Sequence, residues 1–80
     1  MYKLSTSDQI GQLLTARRKA LGLTQAEVAA RLGISQNRLS EIENQPGVLT
    51  VERLLALTGI LGLEVGLQEH AQKIPAQGEW

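Results

Sequence analysis

The sequence predicts an all-α fold, a bundle of four main helices with one C-terminal β-strand that pairs across a dimer. Three observations carry this. Polar cap residues, two of them followed three positions later by Gln or Glu, stand ahead of apolar stripes at helical spacing. Glycine or a turn cluster stands where each stripe stops. After Gly62 the apolar period switches to two. Eighty residues make one domain. A domain this small buries only about 60% of the surface its unfolded chain exposes, so its own core is marginal and a second subunit is expected to add to it.

Taken in order, residues 1–8 read as an N-terminal arm and residues 9–62 as the folded domain. Thr6 with Gln9 forms a capping box, and the first helix carries Ile10, Leu13, Leu14 and Leu21 before Gly22 ends it. Thr24 with Glu27 opens a short second helix with Val28, Ala29 and Leu32 inward, stopped by Gly33. Ser35 caps a third helix carrying Leu39 and Ile42, which runs out in the turn cluster Asn44, Gln45, Pro46, Gly47. Thr50 caps a fourth, whose stripe of Val51, Leu54, Leu55, Leu57, Thr58 and Leu61 is wide enough to be covered on more than one side. Leu63, Val65 and Leu67 then alternate with Glu64, Gly66 and Gln68, predicting a half-buried strand over 63–68. A strand needs a ladder partner, and the expected one is the same segment of a second subunit. Tyr2 to Leu4 is a shorter intrachain alternative. Residues 69–80, mostly small or polar with Pro75 and Gly78, read as a flexible tail.

Composition removes several function classes. There is no cysteine and one histidine, so neither a disulfide framework nor a metal site is expected, and no cofactor is implied. No paired acid and base, and no nucleophile with a histidine partner, points to an enzyme. No long apolar run and no leader pattern is visible, so a soluble, cytoplasmic protein is expected. Formal net charge is zero, which argues against a protein that simply coats nucleic acid. The charge is unevenly placed. From Gln9 to Ser40, Arg17, Arg18, Lys19, Arg31 and Arg38 stand against the single acid Glu27, a net plus four; from Glu41 onward Arg53 and Lys73 face six glutamates, a net minus four.

The block from Gln25 to Asn44 carries the functional signal. Val28, Leu32, Ile34, Leu39 and Ile42 fall inward, Ala29 is small where two helix backbones must approach, and Gly33 permits the turn between them. That is the pattern of a helix-turn-helix. Its second helix enters the major groove N-terminus first, so Ser35, Gln36, Asn37 and Arg38, with Ser40 and Glu41 one turn later, are the expected base-contacting residues. Gln and Asn bond adenine N6 and N7, and Arg prefers guanine O6 and N7. Glu41 either accepts from cytosine N4 or orients Arg38. Gln25 and Asn44, at helix ends, are either phosphate contacts or plain terminal residues. Arg17, Lys19 and Arg31 read as ordinary solvated charges that add at most a diffuse attraction.

Gly-Leu-Thr-Gln at 22–25, Val-Ala at 28–29 and Gly-Ile-Ser-Gln at 33–36 resemble the Cro/C1-type (XRE) helix-turn-helix family over residues 9–62. The resemblance implies a lambda-repressor-like bundle, base reading by Gln36 and Asn37, phosphate contacts by Gln25 and Asn44, and a buried salt bridge between Arg18 and Glu43. The ending, Leu-Glu-Val-Gly-Leu followed by a polar tail closing in Glu-Trp, resembles HipB-like antitoxins. That narrower resemblance implies an intersubunit sheet at 63–68, dimerisation through Leu63, Val65 and Leu67, and autoregulation at palindromic operator DNA. It also implies a HipA-like serine/threonine kinase toxin as partner. Trp80, unexplained by core demand, is expected to contact that toxin or to be read by a protease. His70 reads as solvated. Two other readings stay open: a stand-alone phage-type or metabolic regulator without a toxin, and a dimerising interaction module that does not bind DNA. The second predicts acids or bulky apolar residues at 35–38, which the sequence does not have.

Overall fold

The structure is a computed structural model that describes residues 1–69. Its elements are α1 (Ser7–Ala20), α2 (Gln25–Leu32), α3 (Gln36–Asn44), a short 3-10 turn (Pro46–Val48) and α4 (Val51–Ile60). Every helix starts on a side-chain cap. At α1, the Gln9 N–H donates to Thr6 Oγ1 (3.4 Å) and the Thr6 N–H to Gln9 Oε1 (3.2 Å). At α2, the Glu27 N–H donates to Thr24 Oγ1 (3.0 Å) and the Thr24 N–H to Glu27 Oε1 (2.9 Å). Ser35 and Thr50 each accept from the third backbone N–H of α3 and α4, at 3.0 Å. Each cap satisfies donors that the first helical turn leaves without an intrahelical partner.

Leu14, Val28, Ala29, Leu39, Ile42, Leu57 and Leu61 form the core, with contributions from every helix. Ile10, Leu32, Ile34, Leu54 and Leu63 pack against its margin. The α2–α3 turn is set by Gly33 at φ +77, a left-handed backbone that lets Ile34 N–H reach Ala29 O (3.0 Å). Two features anchor the helices beyond apolar packing. Gly11 is buried where α1 meets the end of α3: a Cβ there would fall inside contact distance of the Glu43 carbonyl oxygen and 3.0 Å from Pro46 Cγ. Arg17, expected to be a solvated charge, instead donates from Nε to the Leu61 carbonyl (2.8 Å). It thereby caps the C-terminus of α4, where a cation also meets the negative end of the helix dipole.

The expected β-strand at 63–68 is absent, and among the described residues there is no strand at all. The chain leaves α4 through Gly62 at φ +69 and a bond from Leu63 N–H to Thr58 O (2.8 Å), which closes the helix. Leu63 is thereby drawn onto the core margin, whereas Val65 is exposed and Leu67 wholly so. Alternation of apolar and polar residues describes a strand's faces but supplies no ladder, and Tyr2 to Leu4 offers none, being without regular structure too. The expectation of sheet pairing across a dimer through this segment falls with the strand. His70, the tail beyond it and Trp80 lie outside the described residues.

Candidate nucleic-acid interface

Burial sorts the two faces of α3. Leu39 and Ile42 are buried, whereas Ser35, Gln36, Asn37, Arg38 and Glu41 are exposed and Ser40 half-buried. The six expected base-contacting residues therefore fall on or beside the unpacked side of α3. Gln36 and Asn37, the first two residues of the helix, stand exposed on its N-terminal turn, their amides making no side-chain hydrogen bond among the described residues. Ser35 spends one acceptor lone pair on the Arg38 N–H and keeps its hydroxyl proton for a base or phosphate. Arg38 and Glu41 form an ion pair along the helix, NH1 to Oε1.

Arg18 and Glu43 form the second, buried pair. Arg18 Nε donates to Glu43 Oε2 (2.7 Å) and NH2 to Oε1 (3.2 Å), a two-pronged contact, while NH1 donates to the Leu23 carbonyl (2.9 Å). The side chains are 10% and 6% exposed. Burial pushes the Glu43 carboxyl upward, but hydrogen bonds from Arg18, Gln25 and Thr15, with the charge of Arg18, outweigh it and hold the group below the usual carboxylate range. One carboxylate on α3 is thus gripped by α1 and α2 together.

Gln25 belongs to that grip. Its Nε2 donates to Glu43 Oε1 (3.0 Å), so the first residue of α2 is tied to the last turn of α3 while the second amide N–H stays free for a phosphate oxygen. Asn44 is placed differently. Its Nδ2 turns back onto its own helix, donating to the Ser40 carbonyl (2.9 Å) and lying 3.5 Å from Ser40 Oγ. One of its two amide N–H groups is thus taken by its own helix, and the other is engaged only at the limit of hydrogen-bond distance.

Sequence reasoning missed Arg53. Arg53 counted with the acidic half of the chain, yet it lines a cleft of about 60 Å³ with Arg38, Ile42, Val48, Leu49 and Thr50, so two arginines border one cleft beside α3. The 3-10 turn after α3 packs back against that helix and leads into α4, which creates this neighbourhood, and charge counted along the chain does not reveal it. Among the described residues no helix is long and apolar enough to cross a membrane, and no cluster of metal-ligating side chains occurs.

Comparison with known proteins agrees with this geometry. A helix-turn-helix family model matches residues 14–68. The chain is similar to HipB as seen in a HipB-O1-O2 complex, with 28% identity and a TM-score of 0.78 over 86% of this chain and 100% of that one. It is equally similar to a chain of a HipA-HipB-O2-O3 complex, with 28% identity and a TM-score of 0.78 over 86% of this chain and 97% of that one. No curated protein matches the sequence. With the matched span covering well over half of its length and the recognition helix exposed as such a domain requires, this chain belongs to the helix-turn-helix family, in its Cro/C1-type form.

Proposed function

We propose that this chain is a sequence-specific DNA-binding repressor that serves as the antitoxin to a HipA-like kinase toxin and represses its own operon. The observation that carries the DNA-binding half is α3: a helix whose N-terminal turn offers Gln36 and Asn37 amides to solvent, while its other side is fixed in the core by Leu39 and Ile42. An amide that is already ordered and exposed at a helix start suits bidentate bonding to adenine in the major groove. Ser35 and Ser40 lie beside them, and Gln25, braced by Glu43, is the phosphate contact. Asn44 is the second phosphate contact, its amide now resting on Ser40.

Support for the antitoxin half comes from likeness to HipB, one of whose structures is a HipA-HipB-O2-O3 complex. The protein works in the cytoplasm as a homodimer that places two copies of α3 on half-sites about one DNA turn apart, which calls for a palindromic operator. Leu63, Val65 and Leu67 line an apolar groove of about 570 Å³ together with Met1, Tyr2 and Leu4. On α4, Val51 is 73% exposed in the single chain. A second copy covers this surface by side-chain packing. Trp80 engages the toxin.

The test is titration of the purified protein onto DNA upstream of its own gene, followed by addition of the neighbouring kinase. Tight binding that a joint Gln36→Ala and Asn37→Ala change weakens strongly for operator but not for random DNA, and a stable complex with the kinase, are the expected results. Absence of operator binding leaves the reading of a dimerising interaction module; operator binding without a kinase partner leaves a stand-alone regulator.

A further inference from the structure

We propose that Glu41 is a positioning residue for Arg38, and that the held guanidinium reads a guanine in each operator half-site. This rests on the reading of α3 as the helix that enters the major groove. Arg38 and Glu41 lie three residues apart, NH1 to Oε1, with side chains 46% and 47% exposed on the face left free by Leu39 and Ile42.

Charge is the first argument. A carboxylate carried alone into a groove walled by phosphates is repelled, whereas one already paired with a guanidinium enters as a neutral unit. Geometry is the second argument. An arginine side chain holds five N–H donors in a rigid planar fork, and engaging NH1 on one carboxylate leaves a two-donor edge made by Nε and NH2. Two parallel donors match guanine O6 and N7, the commonest specific contact in the major groove. Glu41 therefore selects one orientation of Arg38 before DNA arrives, which removes rotamers that binding must otherwise freeze.

The test is selection of duplexes from a library randomised over about 21 base pairs, two turns of DNA, by the wild-type chain, Arg38→Ala, Glu41→Gln and the double Arg38→Ala, Glu41→Ala. Circular dichroism confirms that each variant is folded. The wild type is expected to enrich a motif containing a guanine that Arg38→Ala no longer selects, with discrimination against the other bases falling about 5- to 160-fold, the range of one good bidentate pair. Glu41→Gln keeps that guanine but with discrimination weakened several-fold, and the double variant binds better than Arg38→Ala alone because no unpaired acid remains. A guanine preference untouched by Glu41→Gln overturns the proposal. So does a cytosine preference that disappears with Glu41→Gln and survives Arg38→Ala. Enrichment of no motif by the wild type overturns the reading of α3 as well, which separates that failure from the other two.

Discussion

Replacing Arg18 by alanine removes three hydrogen bonds at once: two to the Glu43 carboxylate and one to the Leu23 carbonyl. What remains is a carboxylate only 6% exposed, with Gln25 donating to it and no cation. Breaking a buried ion pair from one side costs about 3 to 5 kcal/mol, because the surviving charge stays desolvated. A domain of this size has a total stability of roughly 4 to 12 kcal/mol. At about 4 to 8 °C per kcal/mol, Tm falls by at least about 12 °C, and a protein near the lower bound unfolds outright. The assay is urea unfolding followed by far-UV circular dichroism, at fixed protein concentration because subunit association adds to apparent stability. The deficit also has a pH signature. Glu43 has a folded pKa below its ordinary value of 4.5, so its contribution in the wild type is present above that value and is lost as pH falls through the folded pKa. In Arg18→Ala burial dominates and the pKa rises, so the gap between the two proteins closes in acid. An Arg18→Ala protein with the wild-type urea midpoint and slope at neutral pH refutes the reasoning. So does a gap that stays constant into acid.

The other expectations concern packing, capping and readout. Gly11→Ala gains about 1 kcal/mol of helix propensity but drives a methyl into the Glu43 carbonyl and the Pro46 ring, neither of which can swing away. A net loss of about 1 to 2 kcal/mol is expected, read as a lower urea midpoint. Arg17→Ala loses the charged bond to Leu61 O and should cost about 1 kcal/mol, with amide exchange quickening in the last turn of α4 while α2 and α3 hold. Gln36→Ala with Asn37→Ala should sharply cut preference for operator over random DNA, leaving only the share that Arg38 supplies, yet leave the dependence of affinity on salt unchanged. Titrations at about 50 and about 200 mM salt separate these terms, because released counterions report phosphate contacts and not base contacts.

What the sequence disclosed of the fold follows from how local the cause was. Thr6, Thr24, Ser35 and Thr50 are caps because of a hydroxyl three residues from an N–H, and such a cause is visible within one turn. Gly33 was legible for the same reason. Gly11 was not singled out, although a glycine inside a helical pattern costs about 1 kcal/mol and so signals a close approach. What approaches it comes from Glu43 and Pro46, far along the chain. Arg17 and Arg18 are neighbours in sequence, yet one caps α4 and the other is buried against α3, a division set by helix phase and tertiary contact. The strand at 63–68 failed for a different reason: its period was right, but a strand's stability lies in its ladder, and no pattern within one segment supplies the other half. At the candidate site, exposure of Gln36 and Asn37 was readable from the phase of Leu39 and Ile42. That Asn44 faces its own helix, and that Arg53 joins Arg38, depended on the path of the loop after α3.

The arrangement around Glu43 ties the stability of the domain to its readout. The N-terminal end of α3 is set by the Gly33 turn and the Ser35 cap, and its C-terminal end by Glu43, which Arg18 holds from α1 and Gln25 from α2. Gly11 lets α1 come close enough to the Glu43 backbone for Arg18 to reach the carboxylate with two donors. A recognition helix fixed at both ends keeps its Gln36 and Asn37 amides in one orientation relative to Gln25, the proposed phosphate contact. Base contacts and phosphate contacts made from one rigid frame must be satisfied together, so a duplex that fits the phosphate contact but offers the wrong base edge loses bonds it cannot replace by sliding the helix. On the proposed reading the buried pair thus has a part in discrimination as well as in folding. Replacing both partners by apolar residues of similar volume can leave stability intact, yet it frees Gln25 from Glu43 and relaxes the geometry on which discrimination depends.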